Sequence, residues 1–167
     1  SSNFWLISLS KKIGEASIRE AVKIAMQILS KEFVCAQDIK ELENSSWLKS
    51  HRCSFDMLGE ASRNQFQSDA YFESYLEAIN SIGRINSAHD LSNGISIKLS
   101  ALYSKYDALH EREVKGFLLP RLRDLVVEAS LQNVSVTIDA EEQDRLSLSL
   151  SIIAELALDP LIKGWPK

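Results

Sequence analysis

Three charged residues in this 167-residue chain have types and spacings that could do chemistry: Asp56, Lys98 and Asp139. They recur 42 and 41 residues apart, each at or near the end of a short run in which apolar residues alternate with small polar ones. The runs are Cys53-Ser-Phe-Asp-Met-Leu, Ile95-Ser-Ile-Lys-Leu-Ser and Val134-Ser-Val-Thr-Ile-Asp. An ammonium between two carboxylates can anchor an anionic group of a ligand while the carboxylates orient it or tune a proton. The trio also has a purely structural explanation, an ion-pair cluster that offsets the cost of burying each charge alone. Glu60 follows the first run in the loop Leu58-Gly-Glu-Ala, which would line a barrel mouth, although on spacing alone a solvated carboxylate is the better explanation. Glu141 and Glu142 make Asp139-Ala-Glu-Glu an acidic cluster, but no histidine accompanies it and no metal site is expected. His51, His89 and His110 have no partner at ligand or triad spacing and read as surface residues. The six glycines form no phosphate-cradling loop.

These groups need elements to position them. Ser17 and Glu20 have capping-box spacing, and Ile18, Val22, Ala25, Met26, Leu29 and Phe33 then recur at helical spacing. Residues 37–49 are polar and predict a short irregular helix. The period then changes to two for a strand over Cys53–Leu58. Tyr71, Phe72, Tyr75, Leu76, Ile79 and Ile82 mark the next helix as core-facing residues. Gly94 opens a strand over Ile95–Ser100. Val114, Phe117, Leu118, Leu122, Leu125, Val126 and Ala129 predict a helix that Pro120 should kink or break. Asn133 turns into a strand over Val134–Asp139, and Leu146, Leu150, Ile153 and Leu156 give a last helix ending near Asp159-Pro160.

Strands alternating with long helices argue for parallel pairing through right-handed crossovers. Helices would cover Ile95, Ile97 and Leu99, and likewise Val134, Val136 and Ile138. The opposite face, Ser96, Lys98 and Ser100 beside Ser135, Thr137 and Asp139, is small and polar. A sheet with helices on both faces needs that face apolar, whereas a barrel interior with a site at its C-terminal mouth accepts it. The expected fold is therefore α/β: the first three βα units of a (β/α)8 barrel, preceded by an N-terminal helix. Residues 1–50 would be a helical lead-in and residues 51–167 the barrel portion. Such a barrel takes about 250 residues, so the chain is expected to be truncated.

Composition excludes several classes. With 45% hydrophobic and 25% charged residues the chain can bury a core, and its net charge of -4 offers no footprint for nucleic acid. No apolar run approaches the ~18 residues of a membrane span. Cys35 and Cys53 show no metal or redox spacing and read as reduced thiols of a cytoplasmic protein.

The motifs Cys-Ser-Phe-Asp-Met-Leu-Gly-Glu-Ala, Gly-Ile-Ser-Ile-Lys-Leu-Ser-Ala-Leu and Val-Thr-Ile-Asp-Ala-Glu-Glu-Gln-Asp-Arg-Leu resemble, in order, the first three strand regions of the proline dehydrogenase family. The form they resemble is that of the bacterial bifunctional proline utilisation proteins, and the likeness runs from about residue 14 to residue 158. It implies a distorted (β/α)8 barrel that binds FAD non-covalently and oxidises L-proline to pyrroline-5-carboxylate by hydride transfer, with quinone as electron acceptor. Lys98 matches a lysine that pairs with the proline carboxylate, and Asp139 an aspartate close to substrate and flavin. Glu60 matches a glutamate that gates the site by pairing with an arginine of the last helix, and Asp56 a supporting acidic residue. The resemblance further implies a pyrroline-5-carboxylate dehydrogenase region in the same polypeptide and a cytoplasmic protein that works at the inner face of the membrane. Later strands would carry most flavin contacts, so the isolated piece is expected to be inactive. Two other readings stand beside this one. Lys98 could be a Schiff-base amine of a barrel lyase or aldolase, or the fragment could be a non-catalytic scaffold that self-associates through its open sheet edges.

Overall fold

Three short strands stand in the sheet in the order in which they occur in the chain. The computed structural model describes residues 14–30, 34, 36, 39–42, 48 and 51–167. Strands β1 (Ser54–Asp56), β2 (Gly94–Ile97) and β3 (Ser135–Ile138) form a parallel sheet, β1-β2-β3, as the alternation predicts. The chain divides into two units, residues 1–38 and 39–167.

The first unit contains helix α1 (Glu15–Ser30). It begins two residues before Ser17, so Ser17 and Glu20 lie inside the helix instead of forming the expected cap. Gly14, at φ +82, starts it by accepting the Ile18 N–H, and Glu15 pairs with Arg19 at 2.8 Å. The Ile18, Val22, Ala25, Met26 and Leu29 stripe is present, and none of it is buried. Phe33 and most of residues 37–49 lie outside the described residues, apart from a single turn, α2 (Ile39–Leu42), which belongs to the second unit.

In the second unit, helix α3 (Gln65–His89) links β1 to β2. Asn64 starts it by accepting the Gln67 N–H at 2.9 Å, and Asp90, at φ 51, ends it by returning its N–H to Asn86. Tyr75, Ile79 and Ile82 are buried, as their spacing predicts. Helix α4 (Leu99–Leu102) follows β2 directly. Helix α5 (Glu111–Leu131) runs unbroken through Pro120, so of the expected kink or break the break does not occur. Pro120 and Gly116, whose carbonyl loses its donor to the proline, are both exposed, so water can satisfy that oxygen.

The last helix, α6 (Leu146–Ala157), buries Leu156 and half-buries Ile153 of the predicted stripe but not its first two leucines. Leu148, Ile152 and Leu156 are buried, whereas Leu146 and Leu150 are exposed. The Leu-Ser-Leu-Ser-Leu-Ser run supplies leucines to more than one helical face, and only packing selects between them.

Each strand is shorter than the alternation suggests. The β2 ladder stops at Ile97, so Ser100 sits in the first turn of α4 and not on the strand, although Leu99 still joins the core. The cause is competition for the backbone: the Tyr75 hydroxyl accepts the Lys98 N–H at 3.1 Å, and a Glu141 oxygen accepts the Ser100 N–H at 3.0 Å. Ile95, Ile97 and Val134 are fully buried, with Val136 and Ile138 packed partly against the same core. At the other end of the sheet, Asn86 accepts the Asn93 N–H at 3.0 Å, and Asn93 accepts the Cys53 N–H at 2.8 Å. These two amides fix where β1, β2 and the end of α3 meet.

Gly94 sits where β2 passes closest to β3. A Cβ there would stand 2.8 Å from the Ser135 carbonyl oxygen, a backbone atom that cannot swing away. Gly94→Ala is therefore expected to destabilise the fold by roughly 1–3 kcal/mol. Urea unfolding followed by circular dichroism measures this as a lowered midpoint with an unchanged slope.

Candidate functional site

The register sets the geometry of the strand ends. Asp56 stands opposite Ser96, and Ser96 opposite Thr137. Lys98 lies one pleat repeat beyond Ser96, and Asp139 one beyond Thr137, held there by its N–H on the Ile97 carbonyl at 3.0 Å. The three charges are thus not quite level: Asp56 sits one repeat lower, and the long lysine side chain reaches back to it.

The Lys98 ammonium donates to Asp56 and lies 3.1 Å from Asp139 Oδ2. The other oxygen of Asp139 accepts from the Ser96 hydroxyl. The lysine side chain is only 14% exposed, against 60% for Asp56 and 28% for Asp139. Burial by itself pushes the Lys98 pKa down. The hydrogen bonds and charges of Asp56 and Asp139 together outweigh that, and the pKa ends above the ordinary lysine value. Lys98 is therefore a fixed cation at neutral pH. A Schiff-base amine needs the opposite tuning, so the carboxylates act against the lyase reading rather than easing deprotonation.

Beside this trio is a hollow of about 300 Å³ lined by Glu60, Ala61, Lys98, Ser100, Ala140, Glu141 and Glu142. It joins the loops after all three strands. Glu60 stands exposed on its rim, with no ion-pair partner among the described residues. The loop that carries it is preset. Gly59, at φ +139, packs so closely on Tyr71 that a Cβ would come 2.5 Å from the ring, and Ala61 is left-handed at φ 46. Glu141 is spoken for by the Ser100 amide, and Glu142 pairs with Arg145 at 3.1 Å.

The structure thus brings Asp56, Lys98 and Asp139 into one cluster and sets Glu60 across the same hollow. It adds three residues that the sequence reading left without a role in the site. Ser96 orients Asp139, Tyr75 pins the Lys98 backbone, and Ser100 ties loops together. Tyr75 is 2% exposed. A tyrosine on a core-facing stripe must find a partner for its hydroxyl, and that was the available signal. Burial raises its own pKa, against the lowering effect of the Lys98 N–H.

An ammonium with two of its three donors engaged can still offer one to an anion. Glu60, the rim carboxylate with no ion-pair partner among the described residues, can face a cation, so the charges around the hollow suit a small zwitterion. The fold and these strand-end charges define an α/β strand–helix repeat domain whose site lies at the carboxyl ends of parallel strands.

A family model described as proline dehydrogenase matches residues 35–167, and the chain belongs to that family. It is 40% identical over 159 residues to the bifunctional protein PutA of Escherichia coli K12, covering 92% of this chain and 12% of that protein. PutA of Rhizobium meliloti is 36% identical over 160 residues, with 94% and 13% covered. The chain therefore spans about an eighth of the length of these relatives. Among solved structures, a variant of Bradyrhizobium japonicum proline utilization A superposes with a TM-score of 0.72 at 38% identity, over 95% of this chain and 16% of the other. The Bdellovibrio bacteriovorus protein inactivated by N-propargylglycine has a TM-score of 0.77 at 23% identity, over 89% and 17%, and is a likeness of fold alone. Among the described residues no helix is long and apolar enough to cross a membrane.

The raised Lys98 pKa makes a signed prediction. The stability that the ion pairs contribute is complete below the unfolded lysine pKa of about 10.4 and is lost as pH rises through the higher folded value. The difference in unfolding free energy between the parent chain and Lys98→Met should be flat from about pH 8 to 10 and shrink above that. Urea titrations across the range test it, and a difference that grows with pH would refute the assignment.

Proposed function

We propose that this chain provides the substrate-anchoring wall of a flavin-dependent proline dehydrogenase. Residues 51–167 would be the first three βα units of its (β/α)8 barrel and residues 1–50 the helical lead-in. The observation that carries the reading is Lys98: a partly buried cation, set between Asp56 and Asp139 and bordering the hollow, with one donor to spare.

In this reading Lys98 takes the carboxylate of L-proline, and Asp139, itself fixed by Ser96, keeps the ammonium aimed. Asp56 supplies the second countercharge from below. Glu60 closes the rim by pairing with an arginine from a later helix. Forming the C5=N bond of pyrroline-5-carboxylate removes a hydride from C5 and a proton from the ring nitrogen. Anchoring the carboxylate at a rigid strand end fixes where C5 lies, which converts the hydride step into an oriented, near-unimolecular one.

The residues present fit the ring end of FAD and not its diphosphate. Ala61, Ser100 and Ala140 line the hollow beside one ammonium, whereas Glu60 on the rim, without a cationic partner among the described residues, disfavours phosphate. Lys98 and Asp139 would border the ring, and when bound the flavin supplies the hydride acceptor. The diphosphate must be held by residues outside this hollow. The same reading places quinone downstream as electron acceptor, a pyrroline-5-carboxylate dehydrogenase region in the same polypeptide, and the protein in the cytoplasm, at the inner face of the membrane when it reduces quinone.

Replacing Lys98 by Met in the complete enzyme should cost the worth of a charge-assisted contact, about 2–3 kcal/mol or roughly 30- to 150-fold in kcat/KM for L-proline. Steady-state kinetics with an artificial electron acceptor measure it. Unchanged kcat/KM would overturn the role of Lys98 as anchor.

A further inference from the structure

Glu60 can serve the hollow only if its loop is held in one place relative to Lys98, and the structure shows what holds it. Ser100 is 2% exposed and bonds to two neighbouring loops at once. Its hydroxyl accepts the Ala61 N–H at 2.9 Å, and its carbonyl accepts both the Ser62 N–H and the Ser62 hydroxyl at 3.0 Å. Its own N–H goes to Glu141, in the loop after β3, at 3.0 Å. Behind it, the hydroxyls of Ser62 and Ser68 share a bond of 2.8 Å, which carries the link into the first turns of α3. The loops after β1, β2 and β3 are thus joined through one buried serine two residues beyond Lys98.

The bond to Ala61 matters most, because Ala61 is left-handed and directly follows Glu60. That backbone state is uncommon for a residue with a Cβ and needs support from its surroundings. Gly59 on the other side is fixed against Tyr71, so Glu60 is the single residue between two pinned neighbours.

We propose that Ser100 is a positioning residue that sets the Glu60 carboxylate across the hollow from Lys98, and that it acts on substrate binding through Glu60. This rests on the proline reading above, and Ser100 itself need not touch the substrate.

The test uses the complete enzyme and four variants: Ser100→Ala, Glu60→Ala, the double variant and Lys98→Met. Ser100→Ala should raise KM for L-proline about two- to tenfold, the size of one lost hydrogen bond, with kcat within about twofold. The double variant should bind no worse than Glu60→Ala alone, since Ser100 has nothing left to position. Amide hydrogen exchange supplies a readout independent of turnover. In Ser100→Ala the Ala61 amide should lose protection while the Ser62 amide, bonded to a backbone carbonyl, keeps it. If Ser100→Ala does not fold, Ser100→Cys keeps a side chain of similar size while giving the Ala61 N–H a poorer acceptor, and it should also raise KM. Additive losses in the double variant, or an unchanged KM with Ala61 deprotected, would overturn the proposal. If Lys98→Met and Glu60→Ala both leave KM unchanged, the proline reading itself fails, and this proposal with it.

Discussion

The whole strand-end arrangement depends on one ammonium that has been taken out of water. Lys98 can occupy its position only because Asp56 and Asp139 reach it from the strands on either side. Removing Asp139, the more covered of the two carboxylates, leaves the ammonium under-compensated, whereas Asp56 is largely in water and its pair is worth less. The sheet register is what delivers the carboxylates. A slip of one residue in β3 would turn Asp139 and Thr137 toward the helices and bring Val136 and Ile138 to the polar face. The clamp formed by Asn86 and Asn93, and the close passage of Gly94 along Ser135, therefore serve the charge cluster from the far end of the sheet.

The two faces of the sheet divide the labour. Ile95, Ile97 and Val134 lock the strands to the helices and supply rigidity. The other face carries serine, threonine and the charged groups, which fill little space and leave room for a ligand at the strand ends. Between them stands Tyr75, whose ring belongs to the core and whose hydroxyl ends the β2 ladder at Lys98. That single bond links helix packing to the direction of Lys98. The loops are less free than their position implies, since Gly59, Ala61 and Ser100 fix the turn around Glu60 through backbone contacts.

Family membership gives this geometry a context. A hollow bordered by the Lys98 ammonium and by the Glu60 carboxylate carries both signs of charge at the strand ends.

Much of this could be read from the residues alone. Alternation in Gly94–Ile97 and Ser135–Ile138, and the stripes of α3 and α5, are local patterns fixed by backbone periodicity, so the order of the strands and long helices followed directly, while the short helix α4 did not. The recurrence of Asp56, Lys98 and Asp139 was equally legible, because equivalent positions in successive strand–helix units fall at equivalent places in a parallel sheet. Boundaries and faces were not. The β2 strand stops short because a tyrosine 23 residues away and a glutamate 41 residues away take its next amides. The helix over Leu146–Ala157 buries Leu148 instead of Leu146 because its sequence offers leucines on several faces and the neighbouring core admits one. Pro120 sits within an intact helix because the turn it disturbs faces solvent. Periodicity thus decided what the elements are and which residues the site draws on. Only long-range hydrogen bonds and packing, which no local spacing encodes, decided where each strand ends, which way the lysine points and what holds Glu60.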